Sequence, residues 1–260
     1  MALTYRGVSG TGAPGSSTLS TTTANAQVGD LLVIFSGSYS SAFTAVTGGA
    51  GGTWNTLTTV TGTPGSDSNR TYVTVFWKIA VAGDIGSNFA LSNGQPSYSG
   101  AYLIAIGGAD PIDPFGASQS ATVGSGSVNT GSASFTTTKV SRRFLFFSNM
   151  AASGGAVSSW SPTPTGYTKP SRYTGQSGWH SVQLYTANAD SSPGTYAIES
   201  NTPSQSGSTI GFSANIQEYI PSVPTGVTVT NTPVPNGTIP TVSWTAPGQT
   251  SYRMRWRKIS

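Results

Sequence analysis

Nowhere in this sequence do apolar residues recur at helical spacing; short apolar runs return instead about every ten to fifteen residues, bounded by Gly, Pro, Asn and Ser. A chain punctuated in this way can bury its apolar side chains only by pairing strands, so an all-β fold is expected. The clearest strands run from Leu31 to Ser36, Tyr72 to Ile79, Tyr102 to Ile106, Phe144 to Phe147, Ser181 to Tyr185 and Ile210 to Ile216. In the second of these Val73, Val75, Trp77 and Ile79 share one face and Thr74 and Lys78 the other, the alternation of an antiparallel strand with one face in the core and one in water. Apolar residues rich in Val, Ile, Tyr, Phe and Trp, spaced by Gly, Ser and Thr, fit strands and turns.

Written in order, the strands repeat. Asp30-Leu31-Leu32-Val33-Ile34-Phe35 is echoed by Arg143-Phe144-Leu145-Phe146-Phe147, each after a threonine run, Thr21 to Thr23 and Thr136 to Thr138. Val75, Trp77 and Phe89 recur at one common offset as Val182, Leu184 and Tyr196, and Trp54-Asn55-Thr56 has its counterpart in Tyr167-Thr168-Lys169. A single-residue slip would turn an apolar face outward, so the preserved parity argues for duplication. The expected architecture is a duplicated antiparallel β-sandwich, jelly-roll or immunoglobulin-like, with units at 1–115 and 116–220. Gly107 to Phe115 and the Ser/Gly-rich stretch to Ser134 connect the copies.

The pattern changes after Pro221. Residues 221–260 carry Pro224-Thr225-Gly226-Val227-Thr228-Val229, then Val242-Ser243-Trp244-Thr245, then Tyr252-Arg253-Met254-Arg255-Trp256-Arg257. This resembles the first three strands of a fibronectin type III domain, with Trp244 on the second strand and Tyr252 on the third. Such domains need roughly 90–100 residues. Either a longer natural chain continues the segment or a partner completes its sheet.

Only 8% of residues are charged, against an average near 25%, which leaves few side chains for acid–base chemistry or phosphate neutralisation. Four of the twelve basic residues, Arg253, Arg255, Arg257 and Lys258, sit at the C-terminus, and the remainder balance the eight acidic ones. The net charge of +4 therefore marks one strand and predicts no nucleic-acid surface. Cysteine is absent, excluding disulfides, thiolate metal sites and a cysteine nucleophile. The N-terminus lacks a signal-peptide pattern and no apolar run is long enough to span a bilayer, so neither cleavable export nor membrane insertion is expected.

His180 is the single histidine and reads as an ordinary surface or strand-edge residue, since no Gly-x-Ser-x-Gly elbow accompanies it. Asp110 and Asp113 stand in an Asp-Pro-x-Asp-Pro spacing that reads as a turn, with Ca²⁺ binding as the alternative; no other cofactor is expected. Trp160, Tyr173 and Trp179 lie among Gly, Ser and Pro, where rings can stack on sugars or anchor a partner. Trp54 and Tyr167, at equivalent repeat positions, read as core.

Gly29-Asp30-Leu31-Leu32-Val33-Ile34, Trp54-Asn55-Thr56-Leu57, Val75-Phe76-Trp77-Lys78-Ile79-Ala80-Val81-Ala82-Gly83-Asp84 and Ala105-Ile106-Gly107-Gly108-Ala109-Asp110-Pro111 follow one another in an order that resembles a family of bacteriophage virion proteins. Its members are minor tail, fibre or head-decoration proteins, often with fibronectin-like or immunoglobulin-like domains. The resemblance covers about Leu3 to Tyr219. It implies a non-enzymatic structural protein on the particle surface, assembled as a homo-oligomer with other capsid or tail proteins and touching host-surface carbohydrate. The alternatives are a carbohydrate-binding module of a secreted bacterial enzyme and, with less support, a glycan hydrolase.

Overall fold

The computed structural model of the chain describes residues 2–11, 18–49, 53–62, 70–92, 98–116, 119–125, 128–129, 135–151, 157–170, 173–174, 179–196, 199–220, 225–229 and 242–245. These form two compact units, Met1–Tyr219 and Ile220–Ser260. The fold is all-β with antiparallel pairing in every sheet described.

The first half of the larger unit contains β1 (Thr4–Thr11), β2 (Thr18–Ser20), β3 (Leu31–Tyr39), β4 (Ala45–Gly48), β5 (Asn55–Thr61), β6 (Thr71–Ile79), β7 (Asn88–Ser92) and β8 (Ser99–Gly107). The second contains β9 (Gln119–Gly124), β10 (Val128–Asn129), β11 (Phe135–Thr137), β12 (Ser141–Ala151), β13 (Trp160–Ser161), β14 (Tyr167–Thr168), β15 (Tyr173–Thr174), β16 (His180–Ala187), β17 (Gly194–Tyr196), β18 (Ser200–Pro203) and β19 (Gly207–Gln217). One large sheet has the order β1-β8-β3-β6-β5, and the other the matching order β9-β19-β12-β16-β14, with β15 also paired to β16. Smaller sheets follow the same logic: β2-β7-β4 in the first half, β11-β17 and β10-β18-β13 in the second.

Register reproduces the repeat residue by residue. Val33 lies between Trp77 and Ile104, and Phe146 lies between Leu184 and Phe212. Leu19 pairs Phe89 as Phe135 pairs Tyr196. The six strands expected from the sequence are β3, β6, β8, β12, β16 and β19, the three central strands of each large sheet.

These sheets pack face to face. Leu31, Val33, Phe35, Val75, Tyr102 and Ile104 from one meet Phe144, Phe146, Val182, Leu184, Ile210 and Phe212 from the other in a single buried cluster. Phe35 is its centre, with ring centroids 6.1, 5.8 and 6.3 Å from Phe144, Phe146 and Phe212. Gly37 lies at a close approach of the two sheets: a Cβ there would sit 2.5 Å from both Ser148 Oγ and Val182 Cγ1. The repeats share this core, and both lie within the one compact unit Met1–Tyr219.

The outer faces are covered too. Leu32, Ile34, Phe76 and Leu103 pack with Leu19, Phe43 and Phe89 beneath the first small sheet, and Leu145, Phe147 and Tyr185 pack with Val157 and Trp160 on the other side. Covering both faces explains the unbroken apolar runs of β3, β8 and β12, since alternation survives only where one face meets water. It also corrects the reading of β6: Thr74 and Lys78 do not face solvent but are 1% and 3% exposed. Lys78 Nζ reaches both carboxylate oxygens of the fully buried Asp84 at 2.9 Å, beside the Trp54 and Phe89 rings. That partner lets an ammonium group tolerate an apolar layer.

In the smaller unit β20 (Thr225–Val229) and β21 (Val242–Thr245) pair antiparallel. The expected third strand, with Tyr252, Arg253, Arg255, Arg257 and Lys258, lies outside the described residues.

Phe35→Ala is expected to cost about 3–5 kcal/mol and to lower the stability of both halves together in one urea transition; two separated transitions would contradict the shared core. Lys78→Met should cost a similar amount, about 3–5 kcal/mol, because it leaves the Asp84 carboxylate buried and unpaired. Lys78→Met combined with Asp84→Asn should recover much of that loss in the same assay.

Candidate functional site

Among the described residues, chemistry-bearing side chains gather in a buried hydroxyl–imidazole cluster, at the Asp110 turn and along a groove where the two halves meet. The first is the nearest arrangement to a nucleophile and base. Ser148 Oγ stands 3.0 Å from His180 Nε2, and Thr71 Oγ1 lies 2.9 Å from Ser148 Oγ and 3.3 Å from His180 Nε2. The expectation of a surface or strand-edge histidine is overturned: β16 runs between β12 and the short outer strands, so its first residue is enclosed, and all three side chains are fully buried. His180 Nδ1 has no hydrogen-bond partner. A triad needs a carboxylate there and an open path to the hydroxyl. Among the described residues neither is present, and the cluster's hydrogen bonds tie β6 of one half to β12 and β16 of the other. Burial pushes the His180 pKa down from 6.5 to about 3.

Asp110 builds a turn. Its Oδ1 accepts from the Ile112 and Asp113 backbone N–H groups at 3.0 and 3.2 Å, and its Oδ2 from Lys139 Nζ at 2.8 Å. Burial raises this carboxyl, but the Lys139 and backbone hydrogen bonds outweigh it and hold the pKa below the ordinary value. Asp113 Oδ1 accepts from Gly116 N–H at 2.8 Å. These oxygens are engaged by the protein's own donors, the geometry of an Asx turn. Among the described residues no group of three or more His, Asp or Glu side chains is placed to hold a metal ion.

The aromatic candidates separate. Trp160 was expected at the surface; it is 4% exposed, tilted against Phe147 at 5.7 Å, with Nε1 donating to Ser181 Oγ at 3.0 Å. Its Ser/Pro-rich neighbourhood looks like a loop, but β13 lies over the outer face of the second large sheet and needs a large ring beneath it. Trp179 is 40% exposed. Tyr173 lies in β15 opposite Val182, its side chain outside the described residues. Trp54 packs edge-on to Phe89 at 5.1 Å, and Tyr167 packs against the Phe147 cluster.

The groove is what sequence reading missed. It has a volume of about 480 Å³ and is walled by Tyr5 and Val8 of β1, Arg142 of β12, and Thr168, Thr186 and Asn188 in and around β14 and β16. Small-molecule sites span about 300–1,000 Å³. The Arg142 guanidinium lies 5.5 Å from the centre of the Tyr5 ring, and its Nε donates to Asp190 Oδ1 at 2.6 Å. Burial raises the Tyr5 pKa to about 12 against the opposing pull of Arg142 and a hydrogen bond with Thr186, so the phenol stays protonated at neutral pH. Thr168 Oγ1 donates to Asn188 Oδ1 at 2.5 Å, and Thr186 Oγ1 to the Thr168 carbonyl at 3.4 Å. The wall is thus mostly apolar, with hydroxyl and amide groups set among Val8, Pro170 and Ala187 and the Arg142 charge met by Asp190.

Searches against protein-family models, curated proteins and solved structures find no match to this chain.

Two measurements check these placements. Trp160→Ala should cost about 3–5 kcal/mol of stability, whereas Trp179→Ala should stay within about 0.5 kcal/mol. Between pH 6.5 and about 3 the unfolded chain holds a proton on His180 that the folded chain does not. The His180 contribution is therefore complete above pH 6.5 and is lost as pH falls, by up to about 1.4 kcal/mol per pH unit. His180→Gln should flatten the slope of urea stability between pH 6.5 and 5; parallel wild-type and variant slopes would contradict the burial.

Proposed function

We propose that this chain is a non-enzymatic structural protein displayed on the surface of a bacteriophage particle, as a tail-associated or capsid-decorating component, and that it binds instead of transforming what it meets. The observation that carries the reading is the contrast between the two polar sites. The serine–histidine pair, the only histidine-based arrangement in the chain, is sealed at the junction of two sheets. The open groove contains hydroxyls, an amide, a phenol and an arginine already paired to Asp190, with no pair of carboxylates across it among the described residues. Glycoside hydrolysis in most enzymes uses two such carboxyl groups flanking the bond. Stability drawn from a doubly covered β stack without disulfides suits a particle component, and the motif order from Leu3 to Tyr219 supplies the virion assignment. The same groove also favours a second reading, a carbohydrate-binding module of a secreted enzyme.

Particles purified from the cells that make this protein should contain it in fixed stoichiometry and bind antibody to it while intact. Its absence from particles, or a hydrolase domain in the same reading frame, would overturn the assignment. Incubation with capsular polysaccharide should release no new reducing ends, and their appearance would contradict the non-enzymatic reading.

A further inference from the structure

One strand edge of the larger unit lacks the usual protection. Native sheets shield their edges with charges, proline, short length or a covering segment, because an open ladder invites another strand. At one flank of the stacked sheets, β14 and β15 are two residues long each. β1 carries Arg6, and residues 20–25 lie along it: Ser20 N–H donates to Ser9 Oγ at 3.0 Å, and Asn25 Nδ2 donates to the Arg6 carbonyl at 3.5 Å. At the other flank β5 has seven residues, Asn55-Thr56-Leu57-Thr58-Thr59-Val60-Thr61, with neither charge nor proline. Among the described strands none pairs with its outer side. Its one irregularity is the bulge between Thr56 and Thr58, and the β-branched residues that follow suit extended pairing.

β9 closes the second large sheet on this same flank. A Cβ on Gly62, just past β5, would sit 2.5 Å from Ser208 Oγ, and Gly124 at the end of β9 pairs with the neighbouring Thr209, so both strands run toward one pole. They are also level. Thr58 pairs with Val75, which pairs with Phe35, and Ala121 pairs with Phe212, whose ring lies 6.3 Å from that of Phe35. Between the two strands the core reaches the surface: Leu57, Val60 and Ala121 pack on the shared cluster but are only partly buried, and Val123 is 40% exposed.

We infer that this flank is a contact between two copies of the chain, with β5 of one paired antiparallel to β5 of the other about a two-fold axis normal to the sheets. An open ladder takes an extended strand. Self-pairing sets a strand against its own sequence, so a charge near the axis would meet its like. β5 has none to meet, whereas β1 brings Arg6. Because β5 and β9 run in one direction, the same axis sets β9 antiparallel alongside its own copy. Both sheets then continue into the second molecule, and the seam of Leu57, Val60, Ala121 and Val123 is covered from both sides. Such a contact uses the same patch on each copy and closes on itself, which ends growth at two. The inference draws nothing from the virion assignment, which particle composition tests separately.

Sedimentation velocity of the purified full-length chain over a concentration series should show a monomer–dimer equilibrium. Thr59→Lys, at an exposed position of β5, brings two like charges together and should raise the dimer dissociation constant at least about tenfold. Asn88→Lys, exposed on β7, adds the same charge away from the flank and should leave that constant unchanged. The chain has no cysteine, so Thr59→Cys supplies a single thiol. A short bismaleimide should join two copies of Thr59→Cys and not two of Asn88→Cys. Cysteine is close in size to threonine, so this cross-link reads the contact independently of how the lysine variant folds. A monomer at every concentration, an assembly other than a dimer, equal dissociation constants for the two lysine variants, or no cross-link specific to position 59 overturns the inference.

Discussion

The contact between the inner faces of the two large sheets is the interaction on which everything else in the larger unit depends. Phe35 from one sheet enters a ring of Phe144, Phe146 and Phe212 from the other, and Gly37 permits the sheets to close beside it. Neither sheet is left with one face in water. Once inner faces are spent on each other, the outer faces must be covered by the short strands, and a four-layer stack results. Polar groups caught inside then need partners, which is why Lys78 is held by Asp84 and why Thr71, Ser148 and His180 share hydrogen bonds across the junction.

Much of this was legible in the amino-acid order. The six central strands announced themselves as apolar runs, and the repeat, aligned at Val75 with Val182, has the register that the ladders display. Double coverage was not legible. Sequence alternation assigns a polar residue to water, so Thr74, Lys78 and His180 read as exposed, although strands distant in the chain cover them. Trp160 failed for the opposite reason: serine and proline around it mimic a loop, while a two-residue strand suffices to place its ring over Phe147. The groove draws Tyr5, Arg142 and Asn188 from three separated segments, and no local motif joins them.

Amide hydrogen exchange on the intact chain tests the shared core most directly. If the two large sheets stabilise each other, the slowest amides of β3, β6 and β8 and those of β12, β16 and β19 will exchange with one common opening free energy, through a single global event. If the second set opens at markedly lower free energy while the first stays protected, the halves are independent sandwiches and the account is wrong.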